Sequence, residues 1–123
     1  MARSVDINPD RLLHDLAALS AIGGRPDGGV DRVAWSPADL EARAWLRARL
    51  EDLGWHATVD PALNVFGRGS LERRRRLLIG SHTDSVAAGG RLDGAYGVVA
   101  ALEVVRTLVE TGDPIAERVE LVD

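Results

Sequence analysis

Between about Gly94 and Thr111 the chain is apolar nearly all the way round, interrupted only by Glu103, Arg106 and Glu110. A helix with so little polar surface cannot face water and has to be packed on most sides. The three charged residues fall on one stripe at spacings of three and four, where they are expected to pair along the helix itself. An apolar strand, Leu77 to Ser81, precedes this segment, and another, Val119 to Val122, follows once Gly112 and Pro114 have ended the helix. Strands interleaved with helices of this length describe a layered α/β sheet, whose functional residues are expected at the carboxyl ends of strands.

The remainder of the chain fits that class. Asn8-Pro9 reads as an N-cap followed by proline at the first helical position, with Ile7 and Leu12 placed for a hydrophobic staple. Leu12, Leu16 and Leu19 form the apolar stripe of this first helix, which Gly23-Gly24 ends. A Gly/Pro-rich loop from Gly23 leads to a second cap signal at Ser36-Pro37, with Asp39 near the positive helix end. The second helix is expected to run to about Leu53, burying Leu46, Leu50 and Leu53, with Gly54 as its left-handed terminator. Trp55 to Asp60 and Asn64 to Arg68 read as short strands around a turn at Pro61.

At 123 residues the chain is one domain's worth, with globular proportions of hydrophobic (46%) and charged (28%) residues and no apolar run long enough for a membrane span. The first ten residues carry neither a secretory nor a transit signal, so a soluble, cytoplasmic protein is expected. A net charge of -4 argues against a nucleic-acid partner. The one charge run, Glu72 to Arg76, lacks interleaved aromatics and reads as a solvated turn between two strands. With no cysteine, thiolate catalysis and zinc–thiolate sites are excluded, leaving imidazole and carboxylate as metal ligands. All fifteen basic residues are arginine, which excludes a Walker-type phosphate loop and a Schiff-base lysine within the chain.

The chemistry concentrates in GSHTDSVAAGGRLDGAYG, Gly80 to Gly97, where the apolar strand hands over to the apolar helix. At a strand end His82 and Asp84 project to the same side, so the carboxylate can approach the imidazole. A metal-binding histidine commonly gives its second ring N–H to such a carboxylate, which fixes the tautomer and raises ligand basicity. Asp93 lies beyond a Gly89-Gly90 turn able to fold the chain back toward His82, where a carboxylate could bridge two metals. An ordinary Asp-Gly turn and a glycine cradle for a phosphate at the helix start are the competing readings, although the spacing fits neither GxGxxG nor a P-loop. His14 and His56 read as surface or half-buried residues, and Ser70, Ser81 and Ser85 lack the context of a nucleophile elbow.

The segment GSHTDSVAAGGRLDGAYGVVAALEVVRTL resembles the metal-binding core of the zinc-dependent amidohydrolases related to the aminoacylase-type metallopeptidases. Upstream, GGVDRVAWS, ADLEARAWL and VDPALNVFGR resemble the branch of N-carbamoyl-L-amino-acid hydrolases, allantoate amidohydrolases and ureidopropionases, and the resemblance covers roughly Ala21 to Asp123. It implies a three-layer, zinc-peptidase-like α/β catalytic domain with a mixed sheet, of which residues 1–123 are the N-terminal part, the lid and dimerisation domain lying outside this chain. It further implies that His82 is a terminal ligand of one metal, Asp84 its orienting carboxylate and Asp93 the bridging ligand. The cofactor is then two divalent ions, zinc in the first place and manganese as the other candidate, and complete family members are usually homodimers acting on a small-molecule substrate.

Two departures lie inside the matched part: Leu63 precedes Asn64 where family members usually have glycine, and Ser85 stands where threonine is common. Arg32 and Ser36 belong to the branch-like segment without an assigned role beyond support of the site. The family also carries a glutamate pair just after the strand that here reads VELVD, one the general base and the other a ligand of the second metal, with two further histidine ligands later. Water activated by metal would hydrolyse a non-peptide C–N bond of an N-carbamoyl amino acid, ureido or amide substrate in the complete enzyme. The 123-residue chain alone is expected to be nearly inactive. The alternatives are a half of a split enzyme and a non-catalytic fragment or binding module.

Overall fold

The computed structural model describes residues 4–72 and 75–123. Asn8 caps α1 (Pro9–Ala21) by accepting from the Arg11 N–H at 3.0 Å, and Ser36 caps α2 (Pro37–Asp52) by accepting from the Asp39 N–H at 3.3 Å. Both helices therefore start where the Asx/Ser-Pro pairs place them. Ile7, the outer half of the expected staple, is 44% exposed, and the Asn8 side chain marks the first helix start.

The strands are β1 (His56–Val59), β2 (Val65–Arg68), β3 (Leu77–Gly80) and β4 (Val119–Val122); α3 (Ala95–Glu110) and a short 3-10 turn (Pro114–Arg118) join the last two. Spatial order is β1-β2-β4-β3, with β1–β2 and β2–β4 antiparallel and β3–β4 parallel. The sheet is thus mixed, and its last strand in sequence is inserted between two earlier ones. Register sets Phe66 opposite Val122 and Val122 beside Gly80. The carboxyl ends of β3 and β4 consequently lie side by side.

Val65, Val119 and Leu121 face the helices and join Leu46 and Leu50 of α2 with Val98, Leu102 and Val105 of α3 in one buried core. A second cluster, Leu16 and Leu19 of α1 with Ala42, Ala95 and Val99, stacks α1 on the outside of the other two helices. The sheet's opposite face, with Thr58, Phe66 and Val122 in one row, is only partly covered, and Leu77 and Leu78 on the β3 edge are 64% and 54% exposed. These residues supply one helical layer and the sheet of the three-layer arrangement. Among the described residues no helix is long and apolar enough to cross a membrane.

Two expectations need correction. The charged stripe of α3 does not pair along its own helix; it pairs with α1. Arg11 donates from Nε and Nη2 to the two carboxylate oxygens of Glu103, at 2.7 and 2.9 Å, and also pairs with Glu110, while Arg106 bonds Asp15. The reason is burial: the stripe lies under α1, where Glu103 and Arg106 are buried and their nearest opposite charges belong to that helix. The Glu72 to Arg76 turn is also not wholly solvated. Arg73 and Arg74 lie outside the described residues, but the Arg76 side chain is folded in, donating to the carbonyls of Glu72 and Glu117 at 2.7 and 3.2 Å.

Glu103 carries the most of this interhelical contact, accepting in addition from the Asn8 N–H at 2.8 Å and from the Thr107 hydroxyl. Burial pushes its carboxyl up, but hydrogen bonds from Arg11 and Asn8 outweigh it and hold the group below the usual glutamate range. A depressed acid contributes stability that is complete above its unfolded value, about 4.3, and lost as pH falls through the lower folded value. Glu103→Ala is expected to cost about 2–4 kcal/mol at neutral pH, by urea unfolding, and to flatten the acid limb of the stability profile.

Candidate functional site

Where β3 and β4 end together, the chain leaves the sheet through a loop, residues 81–94, that leads into α3. Gly80 is required at the exit, because a Cβ there would lie 1.8 Å from the Val122 carbonyl oxygen. Ser81 N–H still reaches that carbonyl at 3.3 Å, after which the loop is held by side chains.

Two buried charges do the holding. The Asp123 carboxylate, next to the end of β4, accepts from the Thr83 N–H at 2.6 Å and the Thr83 hydroxyl at 2.8 Å. Burial raises the Asp123 carboxyl above its ordinary range, against the Thr83 bonds and Arg43, whose guanidinium lies 3.6 Å away. Arg43 is itself shared with Asp39 and with the Leu63 carbonyl, the latter at 2.6 Å. From the other side Arg32, 1% exposed, donates to the carbonyls of Thr83, Leu19 and Ile22 at 2.6, 2.9 and 2.6 Å. Its backbone pairs with Ser85: Arg32 N–H to Ser85 Oγ at 3.0 Å and Ser85 N–H to Arg32 C=O at 2.7 Å. Desolvation lowers the Arg32 value from that of a free guanidinium, with Asp39, Asp123 and Asp84 acting the other way.

With Thr83 turned inward, its neighbours His82 and Asp84 turn outward and meet. His82 Nδ1 lies 3.0 Å from the Asp84 carbonyl oxygen and 3.3 Å from Asp84 Oδ1. In the neutral ring these acceptors favour the proton on Nδ1, which leaves Nε2 as the lone pair. The His82 side chain is 49% exposed. The loop does fold back: Gly94, at φ +69°, sits so close that a Cβ would fall 2.3 Å from His82 Cε1. Asp93, the preceding residue, is therefore in the same corner and exposed, with its carbonyl accepting the first N–H of α3 at 2.7 Å.

The structure thus brings His82, Asp84 and the Asp93–Gly94 step together. Among the described residues no three His, Asp or Glu side chains form a group able to hold an ion unaided. His14 is exposed on α1 and His56 is exposed at the far end of the sheet, in the row of Arg68 and Glu120. Ser85 is buried with its hydroxyl engaged by Arg32 and Val86, which agrees with its exclusion as a nucleophile. A cavity of about 460 Å³ between Trp55, Leu108 and Pro114 lies at the opposite end of the sheet from this chemistry. Sequence reasoning left Arg32 without a role and gave Ser36 none at the site beyond its cap signal. Ser36 is the α2 cap, legible from Ser-Pro, whereas the Arg32 partners lie ten to 53 residues away and leave no local signal.

Leu63 adds a further constraint. It adopts φ +71°, a left-handed conformation costly for a branched side chain, at the position that offers its carbonyl to Arg43. This is the position where the family resemblance led glycine to be expected. Leu63→Gly relieves about 1–2 kcal/mol of strain against roughly 0.4–1 kcal/mol of added unfolded-chain entropy. A small net gain in urea midpoint is expected, with an unchanged fold by circular dichroism.

Peptidase family M28 matches residues 64–122. An N-carbamoyl-L-amino acid amidohydrolase of Geobacillus stearothermophilus is 35% identical over 118 residues, 94% of this chain and 29% of that protein. An allantoate amidohydrolase of Bacillus subtilis is 36% identical over 95 residues, 76% of this chain and 23% of that protein. Among solved structures, a hydantoinase/carbamoylase family amidase from Burkholderia ambifaria superposes with a TM-score of 0.91 at 38% identity, covering 98% of this chain and 30% of that one. The chain spans less than a third of the length of these relatives.

Proposed function

We infer that this chain, whose sequence and fold match part of the length of hydantoinase/carbamoylase-type amidohydrolases, is the N-terminal part of such an enzyme and supplies His82, Asp84 and Asp93 to a metal centre. The observation that carries the reading is the His82–Asp84 pair seated against Gly94 at the carboxyl end of β3: an imidazole with Nδ1 occupied, Nε2 left as the lone pair, and a second carboxylate one residue from the contact. The donor set, imidazole and carboxylate without thiolate, suits zinc and also admits manganese.

In this reading His82, through Nε2, and the Asp93 carboxylate would hold the metal, as the terminal and bridging ligands that the family resemblance implies, while Asp84 accepts the Nδ1 hydrogen bond and keeps the ring oriented. A bound divalent pair supplies acidified water and a polarised carbonyl. Asp123 and Arg32 do not touch the reacting atoms; they fix the backbone that carries the ligands. The reaction is hydrolysis of a non-peptide C–N bond in an N-carbamoyl amino acid, ureido or amide substrate, by a cytoplasmic enzyme with neither nucleic acid nor membrane as partner. The general base and the remaining ligands that the family resemblance implies are not among these residues, so the isolated chain should bind a divalent ion weakly and hydrolyse such substrates scarcely at all.

The test is a calorimetric zinc titration of the purified chain beside His82→Ala and Asp93→Asn. Weak binding reduced roughly tenfold or more by either change is expected, since even outer-shell partners contribute that much. Binding indifferent to both substitutions would remove the metal reading and favour a non-catalytic module.

A further inference from the structure

We propose that Arg32 is a positioning residue for the candidate metal site: by gripping the backbone on both sides of Asp84 it fixes the ring orientation and tautomer of His82. The proposal rests on the metal reading above for its purpose, and on the following geometry for its substance. The bond that holds the His82 proton on Nδ1 runs to the backbone carbonyl of Asp84, at 3.0 Å, with the Asp84 carboxylate second at 3.3 Å. That bond survives only while residues 82–84 keep one turn of backbone.

Arg32 sets that turn from both ends. Its Nε donates to the Thr83 carbonyl at 2.6 Å, immediately before Asp84, and its main chain exchanges bonds with Ser85, immediately after it, at 3.0 and 2.7 Å. Its Nη1 anchors the grip to the end of α1 through the Leu19 and Ile22 carbonyls. A guanidinium this buried, spending its donors on three carbonyls rather than on a carboxylate, is expensive. A neutral packing residue would fill the space at lower cost. What it could not do is hold three carbonyls in fixed directions, which is the property of the planar fork.

The experiment uses the nitrogen-labelled 123-residue chain, with long-range proton–nitrogen NMR correlations recorded well above the imidazole titration range. In the wild type His82 is expected as a single Nδ1–H tautomer, while the exposed His14 and His56 show mixtures. Arg32→Lys, which keeps the charge but loses the fork, should not rescue the site: His82 becomes a mixture and its zinc-induced shift requires about tenfold more zinc. Ser85→Ala, which removes one bond of the grip, is the milder variant should Arg32→Lys fail to fold, and is expected to move His82 in the same direction. Leu46→Ala in the remote core is the control, lowering the melting temperature with the His82 tautomer unchanged.

A single Nδ1–H tautomer retained in Arg32→Lys or Ser85→Ala, with zinc response unchanged and only the melting temperature lowered, would overturn the proposal and leave Arg32 as fold support alone. A wild-type His82 that ignores zinc would overturn the metal reading instead, with the tautomer comparison still deciding for or against the grip.

Discussion

Thr83 is held from both sides, its N–H and hydroxyl donating to the buried Asp123 carboxylate and its carbonyl accepting from the buried Arg32 guanidinium. Everything exposed in the candidate site follows from that arrangement. With Thr83 drawn inward, alternation along the extended segment sends His82 and Asp84 outward, and Gly94 is then the one residue type that fits beneath the imidazole ring. Burying these two charges costs several kcal/mol each. Charge-assisted hydrogen bonds contribute roughly 1.5–3 kcal/mol apiece and offset that cost, provided none is missing. The segment is therefore held in one conformation or not at all.

The sheet topology makes the grip available. Because β4 enters between β2 and β3, and runs parallel to β3, Asp123 arrives beside Thr83 at the shared carboxyl edge. Val65 and Asp123 exchange both backbone hydrogen bonds, at 3.0 and 2.9 Å, so the carboxylate is carried on a paired backbone rather than a free loop. Arg43 extends the same network to Asp39 near the start of α2 and to the strained Leu63 turn. A second buried ionic network, Arg11–Glu103 and Arg106–Asp15, locks α1 onto α3 and so steadies the helix whose first turn closes the site.

Local signals in the sequence carried much of this. The Asn8-Pro9 and Ser36-Pro37 caps, the apolar stripes of both helices, the four strands and the outward pairing of His82 with Asp84 all depend on residues within a few positions of one another. What escaped depends on distance along the chain. Glu103 pairs with a residue 92 positions away, although the spacing of the α3 stripe pointed to its own helix. Likewise the inward fold of Arg76 depends on Glu117, and the place of Arg32 depends on Thr83 and Ser85, none of which has a periodicity to betray it. Strand order is absent from sequence pattern for the same reason, and with it the meeting of Asp123 and Thr83.

The central claim is that the Asp123–Thr83–Arg32 arrangement presents His82 Nε2 and the Asp93 carboxylate to a divalent ion. Anomalous diffraction at the zinc edge, on crystals of the chain grown with zinc, addresses it directly. The account predicts a peak within coordination distance of both His82 Nε2 and an Asp93 oxygen, about 2.0–2.2 Å from each, with Nδ1 still bonded to Asp84. A peak at His14 or His56 with none at His82, or zinc on Nδ1 with the Asp84 bond broken, would contradict it.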